Sequence, residues 1–170
     1  MFLKNPKIKL FQTYMALIKN SVGSKTFQNF YLEQDGEVSD AVGDGLRSCA
    51  FFVSNLLRML PSLIEGSHLT VDSTVKDLKS CGWEEIKEPR IGAILVWEPK
   101  KTDEGEYKTR HIGFYIGANR AISNDSELRT PQKHHWTFGE DGGLSACPAR
   151  GQGKPTRKVE IILWNKVLEN

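Results

Sequence analysis

The sequence is short of cysteine: Cys49, Cys81 and Cys147 form an odd set with no CxxC spacing, which excludes a disulfide-stapled scaffold and suits a reducing compartment. Long apolar runs are missing too. The longest, at 50–53 and 93–97, fall far below the roughly 18 residues of a membrane-crossing helix. The first twenty residues hold Lys4, Lys7 and Lys9 but no unbroken apolar stretch of the kind a secretory signal needs, so the expectation is a cytoplasmic protein without membrane association. Charge of one sign is also lacking. Against 21 acidic side chains stand 23 basic ones, a formal net charge of +2, too balanced and scattered to attract nucleic acid. The nearest basic cluster, 150–158, contains Gly151, Gly153 and Pro155 and reads as a surface loop. Gly142 and Gly143 make no phosphate loop, because no GK[ST] follows them. No internal repeat or low-complexity tract is present.

What is present is an ordinary globular composition, 39% hydrophobic and 26% charged, in a length of 170 residues that suits a single domain. The expected division is a helical lead-in and loop over 1–43 and a core over 44–170. Leu10, Phe11, Tyr14, Leu17 and Ile18 recur at helical spacing and predict an amphipathic helix within 6–22. Residues 23–45 read as loop with a short strand near 27–32. In 49–60 the apolar residues surround most of a helix, so that helix must be central and buried, with Ser48 as its N-cap and Pro61 as its stop. A further helix is expected over 71–80, closed by Gly82. Beyond Trp83 the pattern changes to short β-branched or aromatic runs, 93–97, 111–116, 121–124, 135–138 and 159–164, separated by turn residues. Helices first and strands later, without alternation, predict an α+β fold with an antiparallel sheet of about five strands.

Two residues carry the chemistry. A thiol attacks as thiolate, and a helix N-terminus favours that anion through its unpaired N–H groups and dipole, so Cys49 at the head of the central helix is a candidate nucleophile. His111 opens the strand HIGFYIG, where a strand start holds an imidazole rigidly enough to act as base. Alone, each is more often structural. A Cys before a central helix followed by a His opening a later strand is a far rarer combination.

The segments DGLRSCAFFVSNLL (44–57), PRIGAILVW (89–97) and HIGFYIG (111–117) together resemble the NlpC-type cell-wall peptidases and the related CHAP amidases, which share a papain-like fold. The resemblance covers 44–124, about half the chain. It implies a papain-like, NlpC-type α+β fold in which the catalytic Cys starts a helix packed on the sheet and the catalytic His starts a strand, with a third polar residue on the strand after. It also implies cysteine peptidase or amidase activity on peptide or peptidoglycan-fragment substrates. No cofactor is expected, and no Cys/His/Asp cluster at ligand spacing suggests a metal. The chain departs from the family at Ser48, where Asp is usual, and at Gly92-Ala93, where Gly-Asp is usual, which marks a divergent member.

Counting from His111 puts Ser123 at the family's third polar position, while Asn124 offers the better fixed acceptor. With a two-residue turn at Ala118 and Asn119, Asn124 pairs opposite Gly113 and shares the face of His111; with a three-residue loop or a bulge, Ser123 does. Asn124 is preferred narrowly. Oxyanion donors are expected from the backbone N–H of Cys49 or Ala50, with Tyr31 a side-chain candidate whose simpler reading is packing. His134 and His135, adjacent in a strand, point to opposite faces and do not suit a metal. His68 reads as an exposed loop residue, and Cys81 and Cys147 as packing or surface thiols. Two rival functions use the same residues: an acyltransferase working through the same Cys/His pair, and a catalytically silent binding domain.

Overall fold

A computed structural model describes residues 7–99, 109–139 and 157–169. Cys147, the Gly142-Gly143 pair and nearly all of the basic 150–158 segment lie outside them. The elements run α1 (Leu10–Asn20), a 3-10 turn (Lys25–Phe27), β1 (Tyr31–Gln34), β2 (Glu37–Asp40), α2 (Cys49–Arg58), α3 (Val71–Ser80), β3 (Trp83–Glu85), β4 (Ile94–Trp97), β5 (His111–Gly117), β6 (Arg120–Asn124), β7 (Pro131–His135), β8 (Val159–Asn165) and a closing 3-10 turn (Lys166–Glu169). The fold is α+β. β1 and β2 pair as a separate hairpin, and the other six strands form an antiparallel sheet in the order β3-β8-β4-β5-β6-β7.

The sheet has one strand more than the sequence pattern predicted. β3 is only three residues long, with Glu84 and Glu85 exposed, so it carries too little alternation to be legible. The strand expected at 135–138 lies instead at Pro131–His135. Its polar residues hid it, and β7 is an edge strand, where a leading Pro costs no interior ladder bond. The short strand expected near 27–32 lies at Tyr31–Gln34, after a 3-10 turn at Lys25–Phe27, and its pairing with β2 was hidden because every residue of β1 is exposed, so no apolar face marks it.

One face of the sheet presents Ile94, Val96, Ile112, Phe114, Ile122 and Leu163 to the helices, and α2 lies across β5 and β6. Ala50, Phe52, Val53, Leu56 and Leu57 of α2 are buried there, with the Phe52 ring edge-on to Phe27 and Phe114 at 4.9 and 5.5 Å. α1 closes the core, and its buried Tyr14 hydroxyl donates to Gly92 O at 2.8 Å. Gly92 has φ +92°, and a Cβ there would lie 3.0 Å from the Tyr14 ring; Ala93 beside it is wholly buried, so an Asp at that position would be an uncompensated charge. The opposite face carries a smaller apolar group, Leu95, Trp97 and Ala121, packed by Tyr115, Trp136, Phe138, Val159 and Ile162. Among the described residues no helix is long and apolar enough to cross a membrane.

Candidate active site

The loop before α2 sets where Cys49 stands. The Asp40 carboxylate accepts N–H bonds from Phe30 (2.9 Å), Val42 (3.1 Å) and Asp44 (2.7 Å) and one from the Asn29 amide (2.9 Å). Those donors, the Phe30 N–H first among them, hold its carboxyl far below the usual carboxylate range. Gly45 then docks so closely on the loop between β6 and β7 that a Cβ would lie 2.4 Å from Arg129 O. Its carbonyl accepts the Asn124 amide N–H at 2.7 Å, and Arg129 donates to Gly43 O and Asp44 O at 3.1 and 3.2 Å. The start of α2 is thereby pinned beside the end of β6.

Ser48 holds the N-cap position but does not cap with its side chain. Its hydroxyl turns back to Gly45 O at 3.4 Å, so the first N–H groups of α2 are left for the neighbouring thiol. Cys49 is half-buried. Burial pushes its thiol pKa up, while the N–H of Ala50, the N–H of Ile112, the Arg157 charge and its own N–H act in the opposite direction; burial prevails and the pKa is raised. A raised pKa favours the thiol over the thiolate. The influence of the Ile112 N–H on the thiol puts the head of α2 near the start of β5, where Ile112 follows His111.

The partner of His111 is decided by one extra residue in β5. Ala118 (φ +49°) and Asn119 (φ +58°) form the two-residue turn with positive φ at both positions, closed by Gly117 opposite Arg120. The register then shifts between Tyr115 and Gly117, leaving Ile116 as a bulge, so Gly113 faces Ser123 instead of Asn124. The expected turn is therefore present, but the bulge moves every later pair by one residue. The Ser123 hydroxyl meets His111 Nε2 at 2.8 Å, while Asn124 points into the clamp with Gly45, its Oδ1 buried without a hydrogen bond among the described residues. Ser123, not the preferred Asn124, stands against His111. Gly113 makes room for this: a Cβ there would lie 2.6 Å from both Ile122 O and Ser123 Cβ.

The β6–β7 register, Ser123 opposite Gln132 and Ala121 opposite His134, adds a second imidazole on the same face. His134 Nε2 meets the Ser123 hydroxyl at 2.8 Å, and His134 Nδ1 meets His135 O at 2.7 Å. Aromatic rings wall this group. Trp97 lies 5.5 Å from His111 and 5.7 Å from His134, Phe138 stacks on His134 at 4.0 Å, and the Trp97 indole N–H donates to Trp136 O at 2.7 Å. Arg157 lies over Phe138 at 5.8 Å, and its guanidinium donates to Glu98 O and Thr109 O at 2.6 and 3.0 Å.

His134 and Arg157 escaped sequence reasoning. The alternation of His134 and His135 was visible, but which of them shares a face with His111 depends on two successive registers, and Arg157 lies far along the chain in a stretch that reads as loop. Tyr31 is 65% exposed on the hairpin, and none of the contacts among the described residues ties it to Cys49. His68 is partly buried instead of exposed: it meets Asp77 at 2.6 Å, and Asp77 also accepts the Cys81 thiol at 3.5 Å. Burial and the Asp77 carboxylate push the Cys81 thiol up. Among the described residues no three His, Cys, Asp or Glu side chains gather as a metal site would require. Comparison of the chain with family models, with curated proteins and with solved structures finds no match in any of the three.

Proposed function

We propose that the chain is a cysteine hydrolase of amide or peptide bonds, a divergent papain-like protein of the NlpC/CHAP kind, with Cys49 as nucleophile and His111 as base. The observation that carries this reading is the meeting of two chain segments: the head of α2 packs against β5 and is clamped to the end of β6 through Gly45 O and Asn124, while His111 at the start of β5 is anchored through Nε2 by Ser123. His111 takes the thiol proton as the sulfur bonds to the carbonyl carbon. The tetrahedral oxyanion is stabilised by the α2 N-terminus, where the N–H groups of Cys49 and Ala50 lie uncapped by Ser48. The amine leaves with the proton from the imidazolium, and water, deprotonated by His111, cleaves the thioester to a carboxylic acid and the free thiol. The substrate class proposed is peptide or peptidoglycan stem peptide, on the strength of the resemblance in 44–124.

The raised thiol pKa favours this general-base course over a preformed ion pair, since a resting thiolate would need no proton acceptor. A second reading, acyl transfer from the same thioester to an amine or alcohol, is favoured by the rings of Trp97 and Phe138 beside His111, which limit access of water.

Iodoacetamide labelling of Cys49 tests the pair. The wild type is expected to label faster than His111→Ala by on the order of a hundredfold. Equal rates in the two proteins point to a silent binding domain. Release of amines from peptidoglycan fragments and from a plain peptide panel, with and without an added amine acceptor, then separates hydrolysis from transfer.

A further inference from the structure

We propose that His134 is a positioning residue that selects the tautomer of His111 through Ser123, so that the base is prepared by a relay of four groups across three strands. The inference rests on the reading of His111 as base. His135 O can only accept, so His134 Nδ1 must carry a hydrogen to bond it at 2.7 Å. A neutral imidazole has one N–H, and His134 Nε2 is then an acceptor. The Ser123 hydroxyl therefore donates to His134 Nε2 across 2.8 Å, and its oxygen is turned to accept from His111 Nε2–H, also across 2.8 Å. With the proton on Nε2, His111 Nδ1 carries the lone pair that takes a proton from a thiol. A serine by itself could not make this choice, because a hydroxyl donates to a bare nitrogen as readily as it accepts from a protonated one. The direction comes from the backbone carbonyl at the end of β7.

The surroundings hold the relay in one geometry. His134 is stacked on Phe138 at 17° between planes, and Trp97 packs against both imidazoles, so neither ring turns without displacing an aromatic neighbour. The bulge at Ile116 and the absence of a side chain at Gly113 bring Ser123 between the two histidines.

The test is the imidazole nitrogen spectrum of protein labelled with nitrogen-15 in histidine, paired with iodoacetamide alkylation of Cys49. In the wild type His111 is expected with hydrogen on Nε2 and a bare Nδ1. In His134→Phe the hydroxyl is released to donate to His111, so hydrogen moves to Nδ1 and alkylation slows on the order of tenfold. His134→Gln, whose side-chain oxygen can accept the hydroxyl hydrogen, is expected to bring back the Nε2–H form and most of the rate, a recovery that loss of ring packing alone would not allow. Should His134→Phe fail to fold, Ser123→Ala removes the bridge and must shift the same signal. A wild-type His111 with hydrogen on Nδ1, or a tautomer unchanged in these variants, overturns the proposal. If the tautomer shifts while Cys49 alkylates no faster than free cysteine, the relay stands and the hydrolase reading falls.

Discussion

Gly113 shows how one missing methyl group sets the chemistry available to its neighbours. An alanine there would put Cβ 2.6 Å from Ile122 O and Ser123 Cβ, both held in β6 and unable to swing away. Gly113→Ala is expected to cost about 2–4 kcal/mol, read from the denaturation midpoint, and to slow Cys49 alkylation because Ser123 is pushed off His111. Unchanged labelling in a folded Gly113→Ala protein would mean that Ser123 does not govern the imidazole. Cys49 is a residue-scale balance of another kind. Burial raises its pKa while helix and strand N–H groups and Arg157 oppose the rise, so the balance favours the thiol over the thiolate, and on the proposed reading its reactivity depends on His111 as base.

Among the elements, α3 is tied to the loop before it by a single carboxylate. Asp77 accepts the N–H of Glu65 (3.2 Å) and Gly66 (2.9 Å), the His68 ring (2.6 Å) and the Cys81 thiol (3.5 Å). Burial alone would raise its pKa, but the His68 bond and the two N–H bonds outweigh that and leave it lowered. A carboxyl more acidic in the folded than in the unfolded chain adds stability above the unfolded value, near pH 4, and loses it as pH falls toward the lowered one. Asp77→Asn is expected to lower stability at neutral pH by about 1–3 kcal/mol and to flatten the acid limb of the stability profile. A variant whose acid limb matched the wild type would show that other carboxylates dominate there. The same element explains why His68 reads differently in sequence and in structure: GSHLT looks like exposed loop, and only the approach of Asp77, nine residues on, gives the imidazole a partner.

At the scale of the whole molecule, the proposed nucleophile and its proposed base come from different layers, helix and sheet, joined by the docking of 43–45 onto 124–130. Gly45 is the critical contact, with φ +81° and the Arg129 carbonyl where a Cβ would be. Gly45→Ala is expected to cost about 2 kcal/mol or more, a fall of roughly 5 °C in thermal midpoint for a chain of this size, and to slow Cys49 labelling by shifting the head of α2. Gly92→Ala is the comparison. It too has positive φ, but its added Cβ would meet the Tyr14 ring at 3.0 Å and the Phe11 ring at 3.3 Å, so stability should fall while labelling per folded molecule holds. If both variants lose labelling in proportion to stability alone, the docked loop plays no part in placing Cys49.

Local pattern made much of this molecule legible. The crowding of apolar residues around 49–60 required a buried helix because no other arrangement removes that surface from water, and it begins at Cys49. Val71, Val75 and Leu78 marked the buried side of α3, whose bounds came out as expected, with Gly82 (φ +84°) beyond its end. The α+β class followed from the order of helical and extended periodicities. None of these readings depends on which residues meet across space, and they hold for that reason. What the sequence could not determine was register. The bulge at Ile116 is one residue in a strand of seven, with no side-chain signature, yet it exchanges Ser123 for Asn124 on the face of His111, because side chains alternate with a period of two and any single-residue shift reverses them. The pairing of β6 with polar β7, which brings His134 to Ser123, is likewise a property of strand neighbours and not of composition. Local periodicity determined the helices and the apolar strands β4, β5, β6 and β8 and marked the candidate pair Cys49 and His111, whereas the polar strands and the partner of His111 were decided by hydrogen-bond ladders that only the assembled sheet contains.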